Sequence, residues 1–183
     1  MTEYRENPNP TKAYRLTMRI DDAPGPLQVM VSASQFDVVN RECLPPPDSN
    51  PGGHLSPIPT NDIPFQLERV SDNEYTGIVY ADGMMDEDYY GRGVCRWKLI
   101  NVQVQLKATG AKEETKFMAD LYGDEFFAAQ VKTIYFRKEL YPRHPDSQLD
   151  EPKNSGQTDR AKISSFRDDE LFTITLASKE LTP

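Results

Sequence analysis

From Ala13 to Ile20 the chain alternates, with Tyr14, Leu16, Met18 and Ile20 on one face and Arg15, Thr17 and Arg19 on the other. A period of two puts successive side chains on opposite sides of an extended chain, so this run predicts a half-buried strand. Asp21-Asp22-Ala23-Pro24-Gly25-Pro26 predicts a turn, because proline fixes φ and glycine accepts positive φ. Leu27, Val29, Val31 and Ala33 alternate again, with Phe36 and Val38 as an extension. The two runs are expected to pair as a hairpin or as edge-to-edge strands.

The richest stretch is Glu74 to Ala108. It predicts a strand over Glu74–Ala81, an acidic and aromatic loop from Asp82 to Arg92, and a long strand from Gly93 through Cys95 and Trp97 to Lys107. Cys95, Trp97 and Leu99 share one face of that second strand, whereas Ile100, Val102, Val104 and Leu106 share the other. A change of phase near Leu99 to Asn101 predicts either a bulge or burial on both faces, and either makes the strand central.

Further strands are expected over Phe65–Val70, from Glu113 to Ala119, over Lys132–Arg137, and over Leu171–Ala177 with Phe172, Ile174 and Leu176 facing in. One short helix is expected over Glu125–Gln130, with Asp124 as its N-cap. Residues 43–64 hold seven prolines, a composition that excludes a helix interior or a central strand and predicts a long loop. A second loop is expected over residues 141–165, exposed and mobile, and a flexible tether over residues 1–12.

About eight strands at short spacing, with no internal repeat, favour a sandwich over alternating βα units. The expected fold is therefore mainly β: a single-domain antiparallel β-sandwich over residues 13–183, immunoglobulin-like or prealbumin-like. The pair Cys95 and Trp97 suits an immunoglobulin-like core, but Cys43 beside a proline-rich loop departs from that pattern and favours the broader class.

A chain of 183 residues suffices for one domain with a real core. An apolar share of 37% and fifteen prolines point to a compact core with long loops. The net charge of −8 argues against a phosphate backbone or an anionic membrane as the main partner and suits a neutral or basic protein, although most of these charges serve solubility. No apolar run reaches the ~18 residues of a membrane span, and the N-terminus lacks a signal-peptide pattern. The polar residues 1–11 fit a tether left after removal of a targeting segment. Cys43 and Cys95 lack metal-site spacing and fit either two buried thiols or one disulfide. A bridge between them would contribute about 4 kcal/mol by closing a long loop.

Asp82, Asp86, Glu87 and Asp88, followed by Tyr89, Tyr90 and Arg92, are the leading candidate site. Clustered carboxylates are what calcium requires, but the Asp-x-Asp-x-Asp-Gly order of a calcium loop is absent, and a solvated hairpin loop is the plainest alternative. Protein recognition stands between these, because Tyr and Arg supply contact area at low entropy cost while acids steer a basic partner. His54 and His144 lie among prolines and glycines, with no Gly-x-Ser-x-Gly elbow, His-Glu-x-x-His motif, phosphate-binding loop or dinucleotide fingerprint. Neither enzyme activity nor a cofactor is expected. The loop over residues 44–64, with Leu55 and Ile58, is either a covering segment or a semi-rigid projection.

The run Tyr75-Thr76-Gly77-Ile78-Val79-Tyr80-Ala81-Asp82, followed by Asp86-Glu87-Asp88-Tyr89-Tyr90-Gly91-Arg92-Gly93-Val94-Cys95-Arg96-Trp97, resembles small envelope lipoproteins of Gram-negative bacteria. Some of these look like immunity proteins encoded beside toxins of contact-dependent type VI or type IV secretion systems. The resemblance implies a periplasmic, β-rich binder, held to the membrane only through a lipid anchor outside this chain, with Cys43 and Cys95 joined. It maps no functional residue. The expected function is neutralisation of a secreted protein toxin, with Asp86, Glu87 and Asp88 steering the partner and Tyr89, Tyr90 and Arg92 making the buried contacts. The alternative is a non-enzymatic envelope module for carbohydrate or calcium.

Overall fold

The computed structural model describes residues 2–47 and 57–181. In chain order the strands are β1 (Ala13–Asp21), β2 (Gln28–Val38), β3 (Thr60–Pro64), β4 (Glu68–Arg69), β5 (Glu74–Tyr80), β6 (Trp97–Lys107), β7 (Lys116–Tyr122), β8 (Lys132–Arg137), β9 (Lys153–Asn154) and β10 (Leu171–Glu180). Among the described residues the one α-helix is α1 (Gly123–Phe127), five residues long, which follows β7. The strands form two five-stranded sheets, β4-β5-β1-β10-β8 and β3-β2-β6-β7-β9. All neighbours are antiparallel except β7 and β9. The expected mainly-β sandwich is what forms.

The inward faces follow the period of two. Leu16, Met18 and Ile20 on β1 meet Phe172, Ile174 and Leu176 on β10 in one continuous core. Phe136 pairs across the strands with Phe172, and Phe117 of the opposite sheet meets both rings edge-on at 5.4 and 5.2 Å. Each such side chain, fully buried, contributes about 1.5–3 kcal/mol by leaving water.

The phase change on β6 is a bulge. Gln35 pairs with Asn101 and Phe36 with Leu99, so Ile100 is the extra residue, and Leu99, Val102, Val104 and Leu106 all turn inward. β6 is the middle strand of its sheet.

Several local expectations give way. β1 and β2 do not pair, since each joins a different sheet and the Asp21–Pro26 turn carries the chain from one layer to the other. Alternating patterns specify which face is buried but not which strand lies alongside. The second long strand starts at Trp97 rather than Gly93, because Gly91 and Gly93 take φ of +71° and +105° and keep the chain in a turn up to Cys95. The proline-rich stretch ends in β3, an edge strand, which is where prolines are tolerated. His54, Leu55 and the middle of that stretch lie outside the described residues.

Phe65–Val70 contributes only β4. The strand expected from Glu113 begins at Lys116, because the Glu114 carboxylate folds back onto the amides of Thr109, Gly110 and Ala111. Asp124 lies in the first turn of α1 rather than at its N-cap, and Glu125 accepts the Tyr122 amide at 2.9 Å.

The segment over residues 141–165 is anchored. The Tyr141 hydroxyl donates to the Pro26 carbonyl at 2.8 Å, β9 adds to β7, and the Glu151 carboxylate pairs with Lys116 and lies 3.7 Å from Lys107.

The largest departure is at the N-terminus. Residues expected to be a free tether run antiparallel to the chain that follows β5: Met85 donates to the Arg5 carbonyl, Glu6 bridges Met84, Asn7 donates to the Gly83 carbonyl, and Ala81 donates to the Lys12 carbonyl. Backbone pairing of this kind needs no apolar pattern, so the polar composition of residues 4–12 conceals it.

Candidate functional site

The Asp86–Arg92 loop rests on a small second core. Cys43 and Cys95 form a disulfide with a Cα–Cα distance of 5.2 Å, and with Val38 and Leu44 they build a buried cluster on which Tyr89, Tyr90 and Trp97 pack. Tyr4, from the N-terminal strap, meets Tyr89 and Trp97 edge-on at 5.3 and 5.2 Å, and its hydroxyl bonds to that of Tyr90. Desolvation first, then the bond to Tyr90, pushes the Tyr4 hydroxyl up to about 12. Asn40, buried, ties the end of β2 to the segment that enters β6 by donating to the Val94 carbonyl at 2.8 Å and accepting the Arg96 amide at 2.7 Å.

The acids are committed one by one. Asp82 accepts the amides of Thr11 and Lys12 at 3.0 and 2.9 Å, which outweighs the upward push of burial and holds its carboxyl below the usual value. Asp86 accepts the Trp97 amide at 2.9 Å, and Glu87 accepts the Arg5 guanidinium at 2.6 Å. Asp88 closes the loop on itself by accepting the amides of Tyr90 and Arg92 at 3.3 and 2.9 Å. Those donors, with Gly91 and Gly93, lower the Asp88 carboxyl against the opposing effect of desolvation.

These four carboxylates do not converge on a point, and among the described residues no group of three His, Cys, Asp or Glu side chains could hold a metal ion. The calcium alternative therefore draws no support from the geometry.

Of the predicted residues, Asp86, Asp88 and Arg92 are exposed and Glu87 is half-exposed. Tyr89 and Tyr90 are half-buried, and the Tyr89 hydroxyl donates to the Met85 carbonyl at 2.6 Å. Their closest contacts are made within the chain. Val94, 49% exposed, stands beside Arg92 on the outer surface. Arg92 also borders a hollow of about 210 Å³ with Arg41, Glu42 and Pro45–Pro47. Sequence patterns passed over Tyr4 and Asn40. A lone aromatic in a polar terminus was the available signal for the first, and none marks the second.

His144 is occupied locally, its Nδ1 accepting the Asp146 amide at 3.1 Å. No helix of the described residues is long and apolar enough to cross a membrane. The disulfide is the chemistry of an oxidising, extracytoplasmic compartment.

What the fold and this site define is a disulfide-tied β-sandwich with a braced acidic loop. No family model, curated protein or solved structure matches the chain.

Proposed function

We infer that this chain is a non-enzymatic periplasmic binding domain that neutralises a secreted antibacterial toxin by protein–protein contact through residues 86–94. The observation that supports this reading is the bracing of the loop. Asp88 holds its turn, the aromatic cluster and the disulfide hold its base, and Asn40 holds its exit. A surface ordered before binding loses less entropy on association, and each side chain it need not immobilise saves about 0.5–1.5 kcal/mol.

Asp86 and Asp88, with Glu87 beside them, supply the negative field that draws in a neutral or basic partner and sets the rate of encounter. Arg92 and Val94 supply contact, Arg being the better anchor because its planar fork reaches several acceptors. Tyr89 and Tyr90 act as the floor of the site.

The test is affinity capture from envelope and secreted extracts of the native organism, followed by purification of the captured protein and assay of its toxicity to target cells. Stoichiometric relief of toxicity by the wild-type chain, weakened tenfold or more by Arg92→Ala or Val94→Asp, is expected. A toxin neutralised equally well by both variants would remove the loop from the mechanism, and a captured protein whose activity is unaffected would remove the function.

A further inference from the structure

We propose that the free edge of β5 at Ile78–Tyr80 is a docking site for an extended, apolar and basic peptide segment of a partner protein, which adds to the sheet as a short antiparallel strand. The site is separate from the loop over residues 86–94 and does not depend on its role.

β4 covers β5 only at Tyr75 and Thr76. There the chain leaves the sheet edge, and residues 65–67 cross to β3 in the other layer, passing Gly77 so closely that a Cβ there would meet the Gln66 carbonyl oxygen. The places opposite Ile78 and Tyr80, where a longer β4 would continue, are vacated. They open into a hollow of about 420 Å³ bordered by Glu6, Ile63, Phe65, Glu68 and Val79.

Backbone direction makes this edge receptive. Ala81 donates to the Lys12 carbonyl and Ile20 to the Asn73 carbonyl, so the odd-numbered residues of this strand turn their polar groups toward β1. Val70 donates to the Glu74 carbonyl on the opposite side. The N–H and C=O of Ile78 and the N–H of Tyr80 therefore point into the vacated edge, without a hydrogen-bond partner among the described residues, while the Tyr80 carbonyl turns toward Gly83. Their side chains are each 39% exposed on the outer face, while Val79 faces in.

Exposed edges are normally blunted by proline, charge or a covering segment. Pro64, which has no N–H, and Asp62 do this on β3, Gln157 covers Tyr135 on β8 with two hydrogen bonds, and Pro152 covers Lys116 on β7. Among the described residues, Ile78-Val79-Tyr80 carries none of these devices.

The pleat dictates the ligand. A residue lying opposite Val79 points its side chain inward toward Ile63 and Phe65, so it is apolar; the residues on either side lie on the outer face. Glu6 and Glu68 flank the hollow against the single cation Arg15, and the chain as a whole carries −8, so Lys or Arg fits those outer positions.

The test is selection of a random heptapeptide library on the immobilised full chain, with the Ile78→Pro chain as counter-target, followed by amide hydrogen exchange with the enriched peptide. Ile78→Pro removes an outward donor without removing a bond to β1; Ile78→Lys replaces it if circular dichroism shows that the proline variant is unfolded. Expected are alternating apolar and basic peptides, a loss of about tenfold or more in affinity on substitution, equivalent to about one hydrogen bond, and new protection at the amides of Ile78 and Tyr80. Enrichment indifferent to Ile78, selection of acidic peptides, or protection confined elsewhere would overturn the proposal. So would a dimer in sedimentation that competes with the peptide, since the edge would then belong to a second copy of this chain.

Discussion

The molecule has two apolar regions built on different principles. The main core, with Phe117, Phe136 and Phe172 at its centre, lies between two sheets whose strands alternate in and out. The smaller one gathers Tyr4, Val38, Cys43, Leu44, Tyr89, Tyr90, Cys95 and Trp97 from stretches with no shared periodicity. Strand pairing holds the first. A disulfide, an aromatic cluster and a polar strap hold the second, and it is the second that sits under the exposed loop. Stability is concentrated in the patterned region, and the presentation of the candidate surface in the cross-linked one.

The contrast breaks most sharply at Phe172. Phe172→Ala should cost about 3–5 kcal/mol, because the two facing rings, Phe117 and Phe136, cannot collapse onto the space left. Denaturant unfolding should show Trp97 fluorescence and far-ultraviolet dichroism lost together. Should the fluorescence of the only tryptophan survive the loss of dichroism, the smaller region would be an independent folding unit rather than a dependent of the main core.

Removing the disulfide by Cys43→Ala with Cys95→Ala should cost about 2–4 kcal/mol, mainly by freeing the unfolded chain. The residual folded population should keep its sheets while the amides of residues 86–95 exchange faster. Equal loss of protection in β10 would show that the bridge supports the whole sandwich.

Tyr4→Ala should cost about 1–2 kcal/mol through lost ring contacts and the bond to Tyr90. Its effect should register in Trp97 fluorescence with little change in the melting of the sheets. The same contact has a pH signature. The Tyr4 pKa is raised from 10.0 to about 12 on folding, so the unfolded chain gives up this proton first. The stabilisation it provides is complete below pH 10.0 and is lost as pH rises toward about 12. Burial also raises Tyr14 and Tyr141, so the signature is a tyrosinate absorbance step at about pH 12 that is lost in Tyr4→Phe.

The smallest expected effect is at Asp82, where Asn in place of the carboxylate should cost about 1 kcal/mol or less by weakening the bonds to Thr11 and Lys12. Because the folded pKa lies below 3.8, this contribution is present above that value and fades as pH falls through the folded one. Wild type and Asp82→Asn should therefore converge in stability in acid.

The sequence by itself determined the sandwich, the inward faces of β1 and β10, and a change of phase near Leu99 to Asn101 that makes β6 central. Each of these is a local alternation that burial must satisfy, and the period of two is written in consecutive residues. That the change of phase is a bulge at Ile100 came from the strand register. Only the tertiary structure decided that β1 and β2 belong to different sheets, since alternation states a face and not a neighbour. It alone decided that a polar N-terminus would be pinned by Tyr4 and by the Asp82 carboxylate, contacts spanning more than seventy residues. The acidic loop was legible as a cluster of chemistry. Which of its side chains face outward was set by a disulfide, the strap and Asn40, through distances that only the folded chain creates.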